Sequence, residues 1–496
     1  MSETQAIIRR LSRAFALVLL GSFAPTAPVL AQVSDVLTLR EAVREALDHN
    51  DRIVNQRDLV EQADLGVRLA NNNFRTKITP NILGSFGQTD VANQTYRVDI
   101  SKRFLTGTEA RIGVGTSTAQ IPPDRDAAIQ EDIRFYNADT TLTINQPILR
   151  GFGPAVAGRQ VASAELRRAD AVRQRTMDEQ LIAVDVARQY YRVISQQMLV
   201  AIAKQGLDRS RRLLEASQAK LEAGLVSQLD VYRARQLVAQ GEIQLSDAQA
   251  AIDDALDELR LTLGRDPDSS IQVGGDIPNV PEATMTVDDA IKTALVRRLD
   301  LQSATAGMDE AARTIAYSRN QLRPQFDASL ALTRRETADS LPSSFGLDNF
   351  RFATFFTIAM PVDRTPQIIE YQNALIDRDR RTRDLEMFRK RIAADVKRSM
   401  RETARMTERL RVSEESLEIS QREVEVAHFR YERGLSNNLD VVAAEGGLML
   451  AENRRLAALA ELALSRLSLR ATLGILDARQ DVADAAPGGV NRVTHD

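Results

Sequence analysis

The sequence predicts a mainly α fold with β: two long antiparallel α-helical hairpins in a duplicated chain, with strand zones between the helical zones. Three observations carry this reading. No proline occurs from Ala155 to Asp266 or from Gln367 to Ala486. A proline inside a helix costs about 3 kcal/mol, so its absence leaves room for long helices. Heptads run through both proline-free zones, and the second half of the chain repeats the first.

In chain order, Arg9, Arg10 and Arg13 precede the apolar run Ala14–Leu20, and Val29-Leu30-Ala31 offers a small-residue cleavage site. These are the three regions of a secretory signal, expected over residues 1–31. No later segment offers 18 uninterrupted apolar residues, so the mature chain is expected either to stay soluble or to enter a membrane as β-structure.

The first heptad stripe is Val186, Val193, Val200, Leu207, Leu214 and Leu221; the second is Val396, Thr403, Leu410, Leu417, Val424 and Tyr431. A seven-residue repeat keeps one stripe against a partner and implies left-handed supercoiling. Beside each runs a seam of small residues: Ala203, Ser210 and Ser217, then Ser413, Ser420 and Ala427. The later zone can run as one helix from Arg364 to Arg433, about 105 Å at 1.5 Å per residue.

From Gly224 to Gly434 is a shift of 210 residues, and under it Gly224-Leu225-Val226-Ser227-Gln228-Leu229-Asp230-Val231 aligns with Gly434-Leu435-Ser436-Asn437-Asn438-Leu439-Asp440-Val441. The alignment continues to Thr262-Leu263-Gly264 and Thr472-Leu473-Gly474, and both heptad stripes fall in register. Leu37–Ala42 likewise resembles Met285–Ala290, each with a threonine two or three positions before acidic residues, as at a helix N-cap. The expected organisation is a first repeat over 37–264 with strands about 78–148, a linker over 265–284, and a second repeat over 285–476 with strands about 326–361. A flexible tail over 477–496 is expected to follow. Gly224 and Gly434 permit the left-handed conformation that ends a helix. Ser227 and Ser436 are the candidate N-caps of the two return helices.

The strand zones alternate. Phe350, Phe352, Phe356, Ile358 and Met360 share one face, and Arg351, Ala353, Thr357 and Ala359 the other. Phe326–Arg335, Tyr96–Ile100 and Leu142–Ile144 alternate likewise, and a soluble sandwich gives the same pattern as a membrane barrel. About two strands are expected in the second half and two to four in the first, Gly107–Thr118 being the extra candidate. Six or fewer strands cannot close a membrane barrel, so membrane β-structure would require several chains to share one.

Composition narrows the chemistry. There are no cysteines and three histidines, His49, His428 and His495, which leaves almost no supply for metal or triad sites. No catalytic, metal or cofactor site is expected. Net charge is −3, and the arginines at 159, 167, 168, 173 and 175 read as a solvated helix face with i,i+4 partners rather than a nucleic-acid arm.

The Thr-Leu-x-x-Ala start, the two Gly-Leu-x-x-x-x-Asp-Val turns, the Leu-Gly repeat ends and Asn145-Gln146-Pro147-Ile148-Leu149-Arg150-Gly151-Phe152-Gly153 together resemble the outer-membrane efflux proteins, the TolC family, over about 37–476. The resemblance implies a homotrimer in outer-membrane lipid. Each chain would give four strands to a shared transmembrane β-barrel of twelve, and the helical hairpins would form a periplasmic tunnel. A periplasmic adaptor and an inner-membrane transporter would complete an efflux or type I secretion conduit. It implies a pore constriction at Asp440, a closed-state tether at Tyr431 and Asp230, and adaptor contacts at Gly224, Leu225, Ser227, Gly434, Leu435 and Ser436. The family's second entrance aspartate falls on Ala443. The alternative reading is a non-conducting coiled-coil protein of the cell envelope, which would pack its strands as a soluble sheet.

Overall fold

A computed structural model describes residues 36–84, 92–121, 133–277, 285–338, 340 and 349–479. The expected signal segment and residues 480–496 of the expected tail lie outside them. In the first half, α1 (Leu39–His49) and α2 (Asp51–Asn72) lead into β1 (Lys77–Gly84), β2 (Ala92–Arg103), β3 (Glu109–Ile121) and β4 (Ile133–Pro147). A single turn, α3 (Pro154–Ala157), precedes the hairpin of α4 (Arg159–Glu222) and α5 (Gln228–Leu263). The second half runs α6 (Val287–Arg297), α7 (Leu299–Gln321), β5 (Gln325–Ala338), β6 (Arg351–Ala359), α8 (Thr365–Glu432) and α9 (Asn438–Leu473).

The helices start where short polar side chains can cap them. Thr38 and Glu41 close a reciprocal capping box at α1, and Thr286 accepts from the Asp289 N–H at α6. The heptad stripes are buried or half-buried along their whole length. The small seam is buried at Ala203, Ser210 and Ser217, and at Ser413 and Ala427, which is how the long helices approach each other closely. The main core sits midway along the hairpins, where Val186, Tyr191 and Ile194 of α4 meet Leu39 and Leu47 of α1, Leu259 and Leu263 of α5, and Leu467 of α9.

The Leu-Gly repeat ends have a packing reason. Gly264 and Gly474 cap α5 and α9 with φ of 78° and 70°. A Cβ on Gly264 would stand 2.6 Å from the His49 carbonyl oxygen, at the α1–α2 kink. A Cβ on Gly474 would stand 3.0 Å from Arg297 C, at the α6–α7 kink. Each half thus seats the end of its return helix against the bend between its two opening helices.

The six strands form one antiparallel sheet in sequence order, β1 to β6. The resemblance implied four strands per chain; the first half supplies four by itself, because the Phe104–Thr108 turn adds a return within the strand zone. One apolar row crosses every strand: Ile78, Ile100, Ile112, Leu142, Leu332 and Phe352, each paired with the next. That face is uncovered; Ile82 is 77% and Phe352 79% exposed. A soluble packed sheet, as the coiled-coil alternative required, would have buried it. Among the described residues both outer edges, on β1 and β6, lack a paired neighbour. Among the described residues no helix is long and apolar enough to cross a membrane.

The arginine cluster on α4 departs from a purely solvated face. Arg175 pairs with Glu179 one turn on, but Arg159 stacks 4.4 Å from the Tyr317 ring, Arg173 donates to Ser303 at 2.8 Å and Arg168 pairs with Asp64. They glue α4 to α7 and α2, because their long stems reach across the helix interfaces.

Candidate functional site

The two hairpin tips lie at the end of the helices remote from the sheet. Each long helix stops in the same way. Gly224 and Gly434 take φ of 72° and 71°, and the Leu225 and Leu435 N–H groups donate back to Lys220 and Arg430 carbonyls at 2.8 Å. This six-to-one closure satisfies carbonyls that the helix end leaves open. Among the described residues, apart from each glycine's own chain neighbours, no atom lies within 4 Å of where a Cβ on either glycine would be. Leu225 and Leu435 stand in solvent, 73% and 65% exposed.

The two return helices start differently. Ser227 caps α5, and the Asp230 carboxylate accepts from the Ser227 N–H at 3.0 Å and its hydroxyl at 2.7 Å. In α9 the N-cap is Asn437, not Ser436: Asn437 has extended backbone, and its side chain accepts from the Asp440 N–H. Ser436 is one position too early to reach the first turn. Asp440 itself is exposed.

Between the hairpins lies a polar lock. The hydroxyls of Tyr431 on α8 and Ser217 on α4 are 2.9 Å apart, and both residues are buried. Asn438, fully buried, donates to the Ser217 hydroxyl at 2.9 Å and the Asp230 carbonyl at 3.0 Å. Lys220 donates to the Tyr431 carbonyl at 2.6 Å and sits 3.8 Å from its ring centroid. The structure thus brings Tyr431 to the other hairpin, but through Ser217; the Asp230 side chain serves its own helix cap.

A second cluster lies deeper. Arg209 on α4 donates to Glu445 on α9 at 2.7 Å, and its other nitrogen lies 3.8 Å from Glu452. His428 on α8 stands 3.0 Å from Glu445. Burial pushes the Glu445 carboxyl up, but the hydrogen bonds and charges of His428 and Arg209 outweigh it and hold it below its ordinary value. Burial raises Glu452, and neighbouring Glu445 adds to that against the pull of Arg209. Sequence reasoning missed Arg209, Lys220, Asn438 and Glu445. Only Ser217 carried a signal, as a small residue in a heptad seam, and spacing alone does not show which hairpin faces which.

These hairpins, ending in one apolar-faced sheet, have a match among known families. The sequence model described as outer membrane efflux protein fits residues 126–265 and 290–475. The chain belongs to the outer membrane efflux protein family. It is therefore an outer membrane efflux protein. The toluene efflux pump outer membrane protein TtgF of Pseudomonas putida is 24% identical over 353 residues, 70% of each chain. The pyoverdine export outer membrane protein OpmQ of Pseudomonas aeruginosa is 25% identical over 334 residues, 65% of this chain and 66% of that one. Among solved structures, the outer-membrane channel OprN superposes with a TM-score of 0.66 at 17% identity, over 88% of this efflux protein and 89% of that chain. VceC of Vibrio cholerae gives 0.64 at 16% identity, over 88% and 96%. These two likenesses speak for the fold.

Proposed function

We propose that three copies of this efflux protein form a passive export duct, sharing one barrel in the outer membrane and one tunnel of helical hairpins below it. One observation carries this: a six-stranded sheet with both edges open and an uncovered apolar face, at one end of helices 64 and 68 residues long. Six strands cannot close a barrel alone, and open edges are not tolerated in hydrocarbon. The helices reach about 100 Å below the membrane at 1.5 Å per residue.

In this reading the duct catalyses nothing and binds no cofactor; an inner-membrane transporter supplies the energy. A periplasmic adaptor meets the tips at Gly224, Leu225, Ser227, Gly434, Leu435 and Ser436, where exposed leucines offer apolar purchase. Three exposed Asp440 carboxylates ring the entrance and favour cations there. Tyr431 holds the hairpins in the closed state, with Asp230 fixing the start of the facing helix. The relatives, of a toluene efflux pump and of pyoverdine export, point to small organic molecules as cargo.

The test is membrane fractionation, detergent-solubilised mass and planar-bilayer recording. A heat-sensitive species of three protomers in the outer membrane is expected, with Asp440→Asn lowering cation preference severalfold. A monomer released without detergent overturns the duct. Unchanged selectivity in Asp440→Asn removes the aspartate from the constriction.

A further inference from the structure

The extra strands of the first half do not protrude from the sheet. Register pairs run unbroken from Ala92↔Gln120 to Arg103↔Glu109 and from Glu109↔Asn145 to Ile121↔Ile133. The Phe104–Thr108 turn that joins β2 to β3 is fixed to the helical end of the sheet. The Gly153 N–H donates to the Thr106 carbonyl at 3.0 Å, and the Thr108 hydroxyl donates to Gln146 at 2.5 Å. A Cβ on Gly107 would meet the Gly151 carbonyl oxygen at 2.6 Å and Pro147 Cγ at 2.9 Å. The hairpin is seated in the wall.

Its inner face is tied across as well. On the face opposite the apolar row, Arg97 bonds Asp99 at 3.0 Å and crosses β3 to reach Asp139 at 2.5 Å. It can cross because Gly113 and Gly115 leave the space; a Cβ on Gly113 would strike its guanidinium. Asn81 of β1 joins the same cluster, donating to Asp99 at 3.1 Å.

The apolar band gives the tilt. On β6 the apolar outward residues run from Phe352 to Ile358, toward the helices; on β1 they run from Ile78 to Ile82, away from them. Because Ile78 and Phe352 lie in one row, the centre of the band moves about five residues over five strand junctions. One residue of about 3.3 Å per strand spacing of about 4.8 Å is a tilt of about 35°, within the range of closed membrane barrels.

We propose that three copies close an eighteen-stranded barrel, wider than the twelve strands the resemblance implies, in which β1 of one copy pairs with β6 of a second copy. This rests on the trimeric duct proposed above. An even strand number makes the seam antiparallel, since α2 enters β1 and β6 leaves into α8 at the same end. Eighteen strands at this tilt have a circumference of about 105 Å, and twelve have about 70 Å. Each copy joins helices to strands at four places, at β1, β4, β5 and β6. Twelve helices packed about 9 Å apart make a ring of about 110 Å. The wider barrel fits that ring. Continuing the band by one residue across the seam sets Pro80 opposite Phe356 and Asn81 opposite Phe355.

The chain has no cysteine, so paired cysteines report this seam cleanly. Asn81→Cys with Phe355→Cys, oxidised in outer membranes, is expected to give bands of two and three protomer masses on denaturing, non-reducing gels. Their yield is expected at least fivefold above either single variant and above the register-shifted pair Asn81→Cys with Ala353→Cys. Efficient cross-linking of Gly115→Cys with Phe355→Cys instead overturns the proposal, because it places β3 at the seam of a narrower barrel. A native trimer that cross-links at neither pair also overturns it and leaves the trimeric duct standing. Loss of the trimer in the unmutated protein overturns the duct itself.

Discussion

The two halves of the chain carry nearly the same helices and different numbers of strands. The return helices are both 36 residues, the long helices 64 and 68. Both tips close through a glycine and an exposed leucine, and both return helices end on a glycine against a kink. Yet among the described residues the first half has four strands and the second two. Helices that pack side by side must begin and end at common heights, which fixes their length and stops. Antiparallel strands added as a pair return the chain to the edge it left, so the helices never register the insertion.

The lock between the hairpins is also one-sided. Within the chain it sets Arg209, Ser217 and Lys220 of the first hairpin against Tyr431, Asn438, Glu445 and His428 of the second. Under the 210-residue shift, Ile419 and Ala427 stand for Arg209 and Ser217, and Leu221, Gln228 and Arg235 for Tyr431, Asn438 and Glu445. In the pseudo-equivalent interface, which in the proposed trimer falls between copies, Arg430 and Gln228 keep the chemistry of Lys220 and Asn438, but the arginine–glutamate pair, the tyrosine, the serine and the histidine are gone. In that trimer the tips of neighbouring copies are expected to separate more readily than the two hairpins of one chain.

The largest effect is expected from breaking that lock. Arg209→Ala leaves Glu445 buried without its strongest cation and should destabilise the hairpin contact by about 3 kcal/mol, read as a lower apparent Tm and earlier proteolysis near the tips. The contact is also acid-sensitive. Glu445 is held below its ordinary value of 4.5, so its contribution is complete above that pH and is lost as pH falls through the lower folded value. Glu452 is raised and has the opposite sign: ionised, it costs stability, and protonation relieves this as pH approaches 4.5 from above. Glu452→Gln should therefore stabilise the protein at pH 7 and remove the relief. A flat acid profile in both variants breaks the asymmetry.

A smaller effect tests the shared repeat ends. Gly264→Ala forces a left-handed alanine into the His49 carbonyl and should cost about 2–3 kcal/mol. Gly474→Ala, with its nearest neighbour at 3.0 Å, should cost about 1–2 kcal/mol, mostly for the backbone conformation. Equal losses on unfolding would show that φ, not the kink contact, decides. Tyr431→Phe removes one hydroxyl from the Ser217–Asn438 cluster and should cost about 1 kcal/mol, with raised single-channel conductance. Asp230→Ala should weaken the start of α5 by a similar amount while leaving the Tyr431–Ser217 contact in place.

Long helices, turns and strand zones were legible because each rests on local chemistry: missing prolines, a seven-residue period, glycine stops, alternating faces. The extra pair of strands was half-legible; Ile112 and Val114 alternate, but the register that seats Gly107 against Gly151 is a long-range fact. The lock was not legible. Arg209 and Glu445 are 236 positions apart, and each reads in isolation as an ordinary surface charge on an amphipathic helix. Ser436 misled because a serine after Gly-Leu resembles a cap; one further residue, Asn437, meets the first turn.

The smallest predicted effect isolates what the caps do. Backbone geometry at the two tips is alike, and the acidic residue three positions after the cap is shared, but Ser227 ties up the Asp230 carboxylate and Asn437 does not tie up Asp440. Asn437→Ser should let the second tip form the same reciprocal box, since a serine hydroxyl can both accept from the Asp440 N–H and donate to its carboxylate. Stability should change by only a few tenths of a kcal/mol, because asparagine and serine are similar as caps. The charge facing the entrance should change more: a carboxylate held by its own cap is less available to a passing cation. Bilayer recordings of Asn437→Ser should show weaker cation preference with the trimer intact. Unchanged selectivity would mean that the cap does not govern Asp440, and that the two tips differ in sequence but not in function.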